Sequence, residues 1–303
     1  MTGAIEMRDG RPTLAATRLG AVECARYGAG PAVLLLHGAM GGWDQGLLLG
    51  RATLGAAGHE LIAVSRPGYL GTPLDRGREP ERQADLCAAV LDSLGIREAA
   101  AVAISGGGQC ALQFALRHPE RCAALILISA CSAPLMVKAP FRFQMMCLMA
   151  RVPGMLERMR RRVETDPEAA AARSIPDPDL RARTLSDSEA GPLFRRHLSM
   201  TMERMRDRLA GTRNDIEQSR MPFAYPLREI RTPALIVHGT ADQAVPFAQA
   251  EATAAALPCA ELLAIPDGQH VSLFTHLDVI RARVRQFLEI HWKEPRPASG
   301  LKS

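Results

Sequence analysis

Aromatic side chains are scarce in this chain: Phe, Trp and Tyr together make up 4% of it. No basic block is interleaved with rings, so the stacking platform that single-stranded nucleic acid requires is missing. A formal net charge of +5 spread over 303 residues does not replace it, and no nucleic-acid partner is expected. Long apolar runs are also lacking. No stretch reaches the roughly 18 residues of a membrane-spanning helix. The opening MTGAIEMRDGRPT has no apolar segment of the kind a secretory signal carries. Seven cysteines stand at positions 24, 87, 110, 122, 131, 147 and 259, an odd number without CxxC or His-rich spacing. They read as reduced, mostly buried thiols of a cytoplasmic protein, not as a disulfide frame or a zinc site. No internal repeat is visible.

What remains is an ordinary globular composition, 47% apolar and 23% charged. A chain of this length buries most of its apolar surface and needs no structural metal to fold. Residues 13–27 read as a hairpin turning near Gly20. Short runs apolar on both faces then recur at 31–38, 59–68, 97–105, 122–130, 232–239 and 261–266. Such runs suit buried parallel strands. Helical periodicity appears between them at 81–95, after 105 as far as Pro119, at 246–257 and at 277–292. This alternation predicts an α/β fold, a mostly parallel central sheet flanked by helices. Residues 134–226 break the alternation with Arg- and Met-rich helical patches and no strand signal. They read as a helical cap inserted into a core made of 1–133 and 227–303. The first ten residues and the segment from 292 onward look frayed.

Four motifs follow predicted strands. Ala103-Ile104-Ser105-Gly106-Gly107 stands between a strand and a helix and has the small-x-Ser-x-small form of a nucleophile elbow. A sharp turn needs small neighbours two residues either side so that the backbones pass. A Gly-rich turn or a phosphate-binding loop is the competing reading, but the lysine of a Walker loop is absent. HGAMGGW (37–43) is a candidate oxyanion loop, offering the amide of Ala39 or, second, Met40 beside that of Gly106. His37 precedes Gly38 in a tight turn and reads as structural rather than as the base. HGTADQAVP (238–246) supplies Asp242, either a carboxylate that orients an imidazole or an Asx turn opening the next helix. PDGQHVSLF (266–274) supplies His270 in a glycine-containing loop.

The chain order Ser105…Asp242…His270 is that of one known triad architecture. With these motifs, and with SRPGYLGT at 65–72, the sequence resembles the α/β-hydrolase-fold superfamily, specifically a capped serine hydrolase, over about residues 12–292. The elbow departs from the commoner pattern in opening with Ala103, and Ile104 stands where a His or aromatic is frequent. The resemblance implies that Ser105 attacks a carboxylic ester, lactone or thioester, with His270 as base, Asp242 as its orienting acid and no cofactor or metal. Three alternatives keep the fold. One is C–C or aminoacyl-amide cleavage, a second is cofactor-free perhydrolysis, and the third is a non-catalytic small-molecule receptor. A serine at the elbow disfavours the branches with an aspartate nucleophile.

Other residues carry less. Asp267 belongs to an Asp-Gly turn, Cys110 to helix packing, His118 to a helix end and Arg66 to the 65–69 turn. Tyr69 and Phe274 either reach the pocket or simply pack. The candidate pocket is Trp43, Ile104, Met145, Met149, Val245 and Val271, and the expected partner is a small ester-like molecule. Composition adds one clue. Residues 134–226 hold 17 Arg and Lys against 12 Asp and Glu, and 10 of the 13 Met; the remainder of the chain holds 20 of each sign. Either the thioethers face an adaptable apolar pocket or they fill a helical core.

Overall fold

The computed structural model describes residues 9–55, 58–135, 141–152 and 154–292. The ends expected to fray lie almost wholly outside them. The chain opens with the predicted hairpin, β1 (Asp9–Thr17) and β2 (Gly20–Gly28), paired antiparallel with Thr17 opposite Gly20. The apolar runs become β3 (Ala32–Leu36), β4 (Glu60–Val64), β5 (Ala99–Ile104), β6 (Cys122–Ile128), β7 (Ala234–Gly239) and β8 (Ala260–Ile265). All eight strands form one sheet in the order β1-β2-β4-β3-β5-β6-β7-β8, with β2 antiparallel to β4 and parallel pairing from β4 to β8.

The two faces of the sheet explain the unbroken apolar runs. Leu34 and Leu36 of β3 enter one buried cluster, while Val33 and Leu35 enter the other. Alternate residues point to opposite faces, and here both faces are covered. Helices α2 (Pro80–Ser93), α3 (Gly108–Arg117) and α10 (Phe247–Ala256) contribute to the first cluster. Helices α1 (Trp43–Leu54) and α12 (Leu277–His291) and the single turn α11 (Ser272–Thr275) contribute to the second. Helix α1 had no counterpart in the sequence reading. Its Gly46 and Gly50 weaken the helical pattern, but both let it lie directly on Ala63, Leu35 and Leu61 of the sheet.

Between β6 and β7 the described residues form helices alone: α4 (Phe141–Met149), α5 (Met155–Thr165), α6 (Pro167–Ala171), α7 (Pro178–Ser186), α8 (Ala190–Met200) and α9 (Leu209–Arg220). Among the described residues no helix is long and apolar enough to cross a membrane. The register then sets the geography of the site. Leu36 is opposite Ala103, Ile128 opposite Val237, and Gly239 opposite Ile265. The loops holding residues 37–42, 105–107, 240–246 and 266–271 therefore leave the sheet at one edge, the carboxyl ends of the strands. That is where ligands bind in parallel α/β sheets.

Candidate active site

The three residues singled out in chain order converge. Ser105 Oγ lies 3.0 Å from His270 Nε2, and His270 Nδ1 lies 2.8 Å from Asp242 Oδ2. With the proton on Nδ1, held by the carboxylate, Nε2 is left as the acceptor facing the hydroxyl. Ser105 has φ 51°, in the left-handed region that a non-glycine residue enters only under constraint. One constraint is visible at Gly107, where an added Cβ would lie 2.5 Å from the carbonyl oxygen of Leu36. The steric demand read from the motif is thus a direct contact between the elbow and β3.

Asp242 is 7% exposed. Burial opposes its ionisation, but hydrogen bonds from His238 and His270, the charge of His270 and the amide of Val245 outweigh it, and the carboxyl is held well below the usual carboxylate range. Its Oδ1 accepts from the amides of Ala244 (2.8 Å) and Val245 (3.0 Å), so the Asx-turn geometry and the imidazole contact coexist. The sequence reading missed His238. Its Nε2 is 2.9 Å from the Val245 carbonyl and 3.3 Å from Asp242 Oδ2, so its ring N–H reaches both oxygens. The signal lay in the motif itself, since His238 and Asp242 are four positions apart.

The candidate oxyanion loop lies against the elbow. A Cβ placed on Gly106 would be 3.5 Å from the Ala39 nitrogen. The Met40 amide donates to Thr212 Oγ1 at 3.0 Å and is thereby occupied. Two amides aimed at one point could stabilise a developing oxyanion. His37 is fully buried. Its Nδ1 is 2.7 Å from the Gly38 carbonyl, which fixes the proton there, and Nε2 accepts the Arg66 amide at 3.0 Å. Burial and the Arg66 charge hold it neutral, far below the usual histidine range.

A cavity of about 810 Å³ opens beside these groups. Ala39, Met40 and Ala244 line its catalytic end; Met145, Met146, Met149, Met159 and Met202 line much of the remainder, and among the described residues Arg173 is the one charged side chain in the wall. Five methionines of the inserted segment therefore face a cavity, whereas Met200 and Met205 are packed away and Met221 is exposed. Of the six pocket candidates, Met145 and Met149 line this cavity. Trp43, Ile104 and Val271 pack into the second core cluster, and Val245 is buried beside Asp242. Phe274 packs on Phe194 of α8, and Tyr69 is buried with its hydroxyl donating to Asp215 Oδ2 at 2.7 Å. Asp267 lies in an exposed turn at φ 55°, Cys110 is buried against Cys87, and His118 ends α3 with Nε2 2.9 Å from Asp85. Among the described residues no group of His, Cys, Asp and Glu has the arrangement of a metal site.

Comparison with known proteins gives a consistent result. The family model described as alpha/beta hydrolase fold matches residues 31–277. A poly(3-hydroxyalkanoate) depolymerase of Ectopseudomonas oleovorans is 28% identical over 247 residues, 80% of each chain. A pimeloyl-[acyl-carrier protein] methyl ester esterase of Aromatoleum aromaticum is 28% identical over 255 residues, 81% of this chain and 93% of that one. Among solved structures, an alpha/beta hydrolase fold protein from Nakamurella multipartita superimposes with a TM-score of 0.81 at 31% identity, covering 92% of this chain and 99% of its own.

Proposed function

The chain belongs to the alpha/beta hydrolase fold family, and on that premise we propose that it is a cytoplasmic serine hydrolase of carboxylic esters, lactones or thioesters. One observation carries the reading: the hydrogen-bond relay Asp242–His270–Ser105 at the strand ends, with the serine held at positive φ. His270 Nε2 removes the Ser105 proton as Oγ attacks the carbonyl carbon. Asp242 holds the imidazole in the productive tautomer and stabilises the imidazolium. The amides of Ala39 and Gly106 receive the oxyanion. The imidazolium then protonates the departing alcohol or thiol, and water, activated by the same imidazole, cleaves the acyl-enzyme.

Residues 134–226 act in this reading as a cap over the site, and its thioether wall accepts a flexible apolar chain on the substrate. Two relatives, named as a poly(3-hydroxyalkanoate) depolymerase and a methyl ester esterase, support an ester carbonyl as the electrophile. The test is a panel of p-nitrophenyl and methyl esters of increasing acyl length, run beside a vinylogous diketone, an aminoacyl amide and peroxide. We expect saturable ester hydrolysis, improving with chain length, and loss of roughly 10⁴-fold or more in kcat for Ser105→Ala. Faster turnover of the diketone than of any ester would move the assignment to C–C cleavage. A fluorophosphonate that labels Ser105→Ala as well as the parent would end the serine-nucleophile reading.

A further inference from the structure

Among the non-glycine residues with left-handed backbone are Met40 at φ 60° and Leu70 at φ 49°. Such positions persist only where their surroundings over-determine them. Both amides are held by the same stretch of the inserted segment. Met40 N donates to Thr212 Oγ1 at 3.0 Å, and Leu70 N donates to the Asp207 carbonyl at 2.8 Å. The Thr212 hydroxyl in turn donates to the Arg208 carbonyl at 2.9 Å, which orients its lone pairs toward Met40.

The side chains around Thr212 pin the same loops. Arg208, 1% exposed, sets its guanidinium on both carboxylate oxygens of Asp44 (3.0 and 2.5 Å), in the first turn of α1. Asp215, one turn along α9, takes two hydrogen bonds from Arg66 (2.8 and 2.6 Å). Arg66 Nε donates to the His37 carbonyl at 3.0 Å. The loop from His37 to Asp44 is thus gripped at its entry, at Met40 and at its exit. Gly106 is enclosed from the same side, since a Cβ there would lie 3.0 Å from Asp215 Oδ2.

We infer that α9 sets the oxyanion site, with Thr212 as a positioning residue whose hydroxyl fixes the Met40 peptide and thereby the neighbouring Ala39 amide. The inference rests on the serine-hydrolase reading above. It makes the inserted segment part of the catalytic geometry as well as a wall of the cavity. Residues 207–215 then link substrate enclosure to transition-state stabilisation.

An alkyl fluorophosphonate tests it directly. Ser105 Oγ bonds to phosphorus, fluoride departs, the hydroxyl proton passes to His270, and charge builds on the phosphoryl oxygen in the oxyanion site. Labelling rates are resolved into kinact and KI for the parent, Thr212→Val and Thr212→Ser, with Tm measured for each. Thr212→Val keeps the shape and removes the acceptor; we expect kinact to fall about tenfold, the scale of one hydrogen bond, with KI within about twofold. Thr212→Ser keeps the hydroxyl and should restore kinact to within about threefold of the parent. If Thr212→Val does not fold, Thr212→Ala carries the same expectation. An unchanged kinact, a loss confined to KI, or a failure of serine to restore the rate would overturn the inference while leaving the hydrolase reading intact. A parent protein that reacts with no fluorophosphonate overturns both.

Discussion

At the scale of single residues, the site divides by how far each partner lies along the chain. Ser105, Asp242 and His270 could be read because each follows a strand and carries its own local motif. The Asp242 carboxylate accepts from four donors, two backbone amides and two imidazoles, and that set defines its role. Asp242→Asn leaves the shape but places an amide where the carboxylate held the Nδ1 proton. We expect kcat on a p-nitrophenyl ester to fall by about 10⁴-fold with KM little changed, because the wrong tautomer faces Ser105; steady-state kinetics against Ser105→Ala as the floor would show it. An effect below tenfold would remove Asp242 from the relay. Thr212 and Asp215 were illegible for a different reason. Their partners Met40 and Arg66 lie 172 and 149 positions away, and no local pattern encodes a contact of that range.

At the scale of elements, strands were legible because burial on both faces leaves an unbroken apolar string, as in AVLLL of β3. The positions of the inserted helices were not, because they depend on which surfaces meet. Gly211 in α9 illustrates this. Helix propensity alone favours alanine there by about 1 kcal/mol. In the fold, a Cβ at 211 would lie 2.3 Å from Tyr69 Cδ2, and Tyr69 is fully buried against its own partners. The Gly211 amide also donates to the Gly68 carbonyl at 2.8 Å, so the helix cannot back away without losing that bond. Gly211→Ala should therefore destabilise the protein by about 1–3 kcal/mol, seen as a lower urea midpoint with unchanged m-value. A rise in the midpoint would mean that α9 is not seated on the 66–70 turn as closely as the structure has it.

Over the whole molecule, the feature that connects charge to stability is a set of histidines kept neutral. Burial lowers the pKa of His37, His59, His197 and His276, and a neighbouring positive charge adds to it in each case: Arg66, Arg285, His270 and Arg183 respectively. For His197 the value falls to about 4. These groups bind a proton in the unfolded chain below their ordinary value of 6.5 but resist it in the folded one. Stability therefore rises with pH through that interval, and acidification from 6.5 toward 4 removes it. Depressed carboxylates such as Asp242 and Asp85 add their losses only at lower pH, as protons reach groups held below the usual carboxylate range. The urea midpoint is thus expected to decline between pH 6.5 and pH 5, before carboxylates titrate in quantity. His197 is the informative position, because it stands on α8 against Phe274 of α11, where the inserted segment meets the core. Protonating it sets a charge in a poorly solvated seam near His270, so acid should loosen the insertion first. His197→Gln cannot take the proton, and its midpoint relative to the parent should be higher at pH 5 than at pH 7. Parallel pH profiles for the two proteins would exclude His197 from the acid response and leave it to the other three.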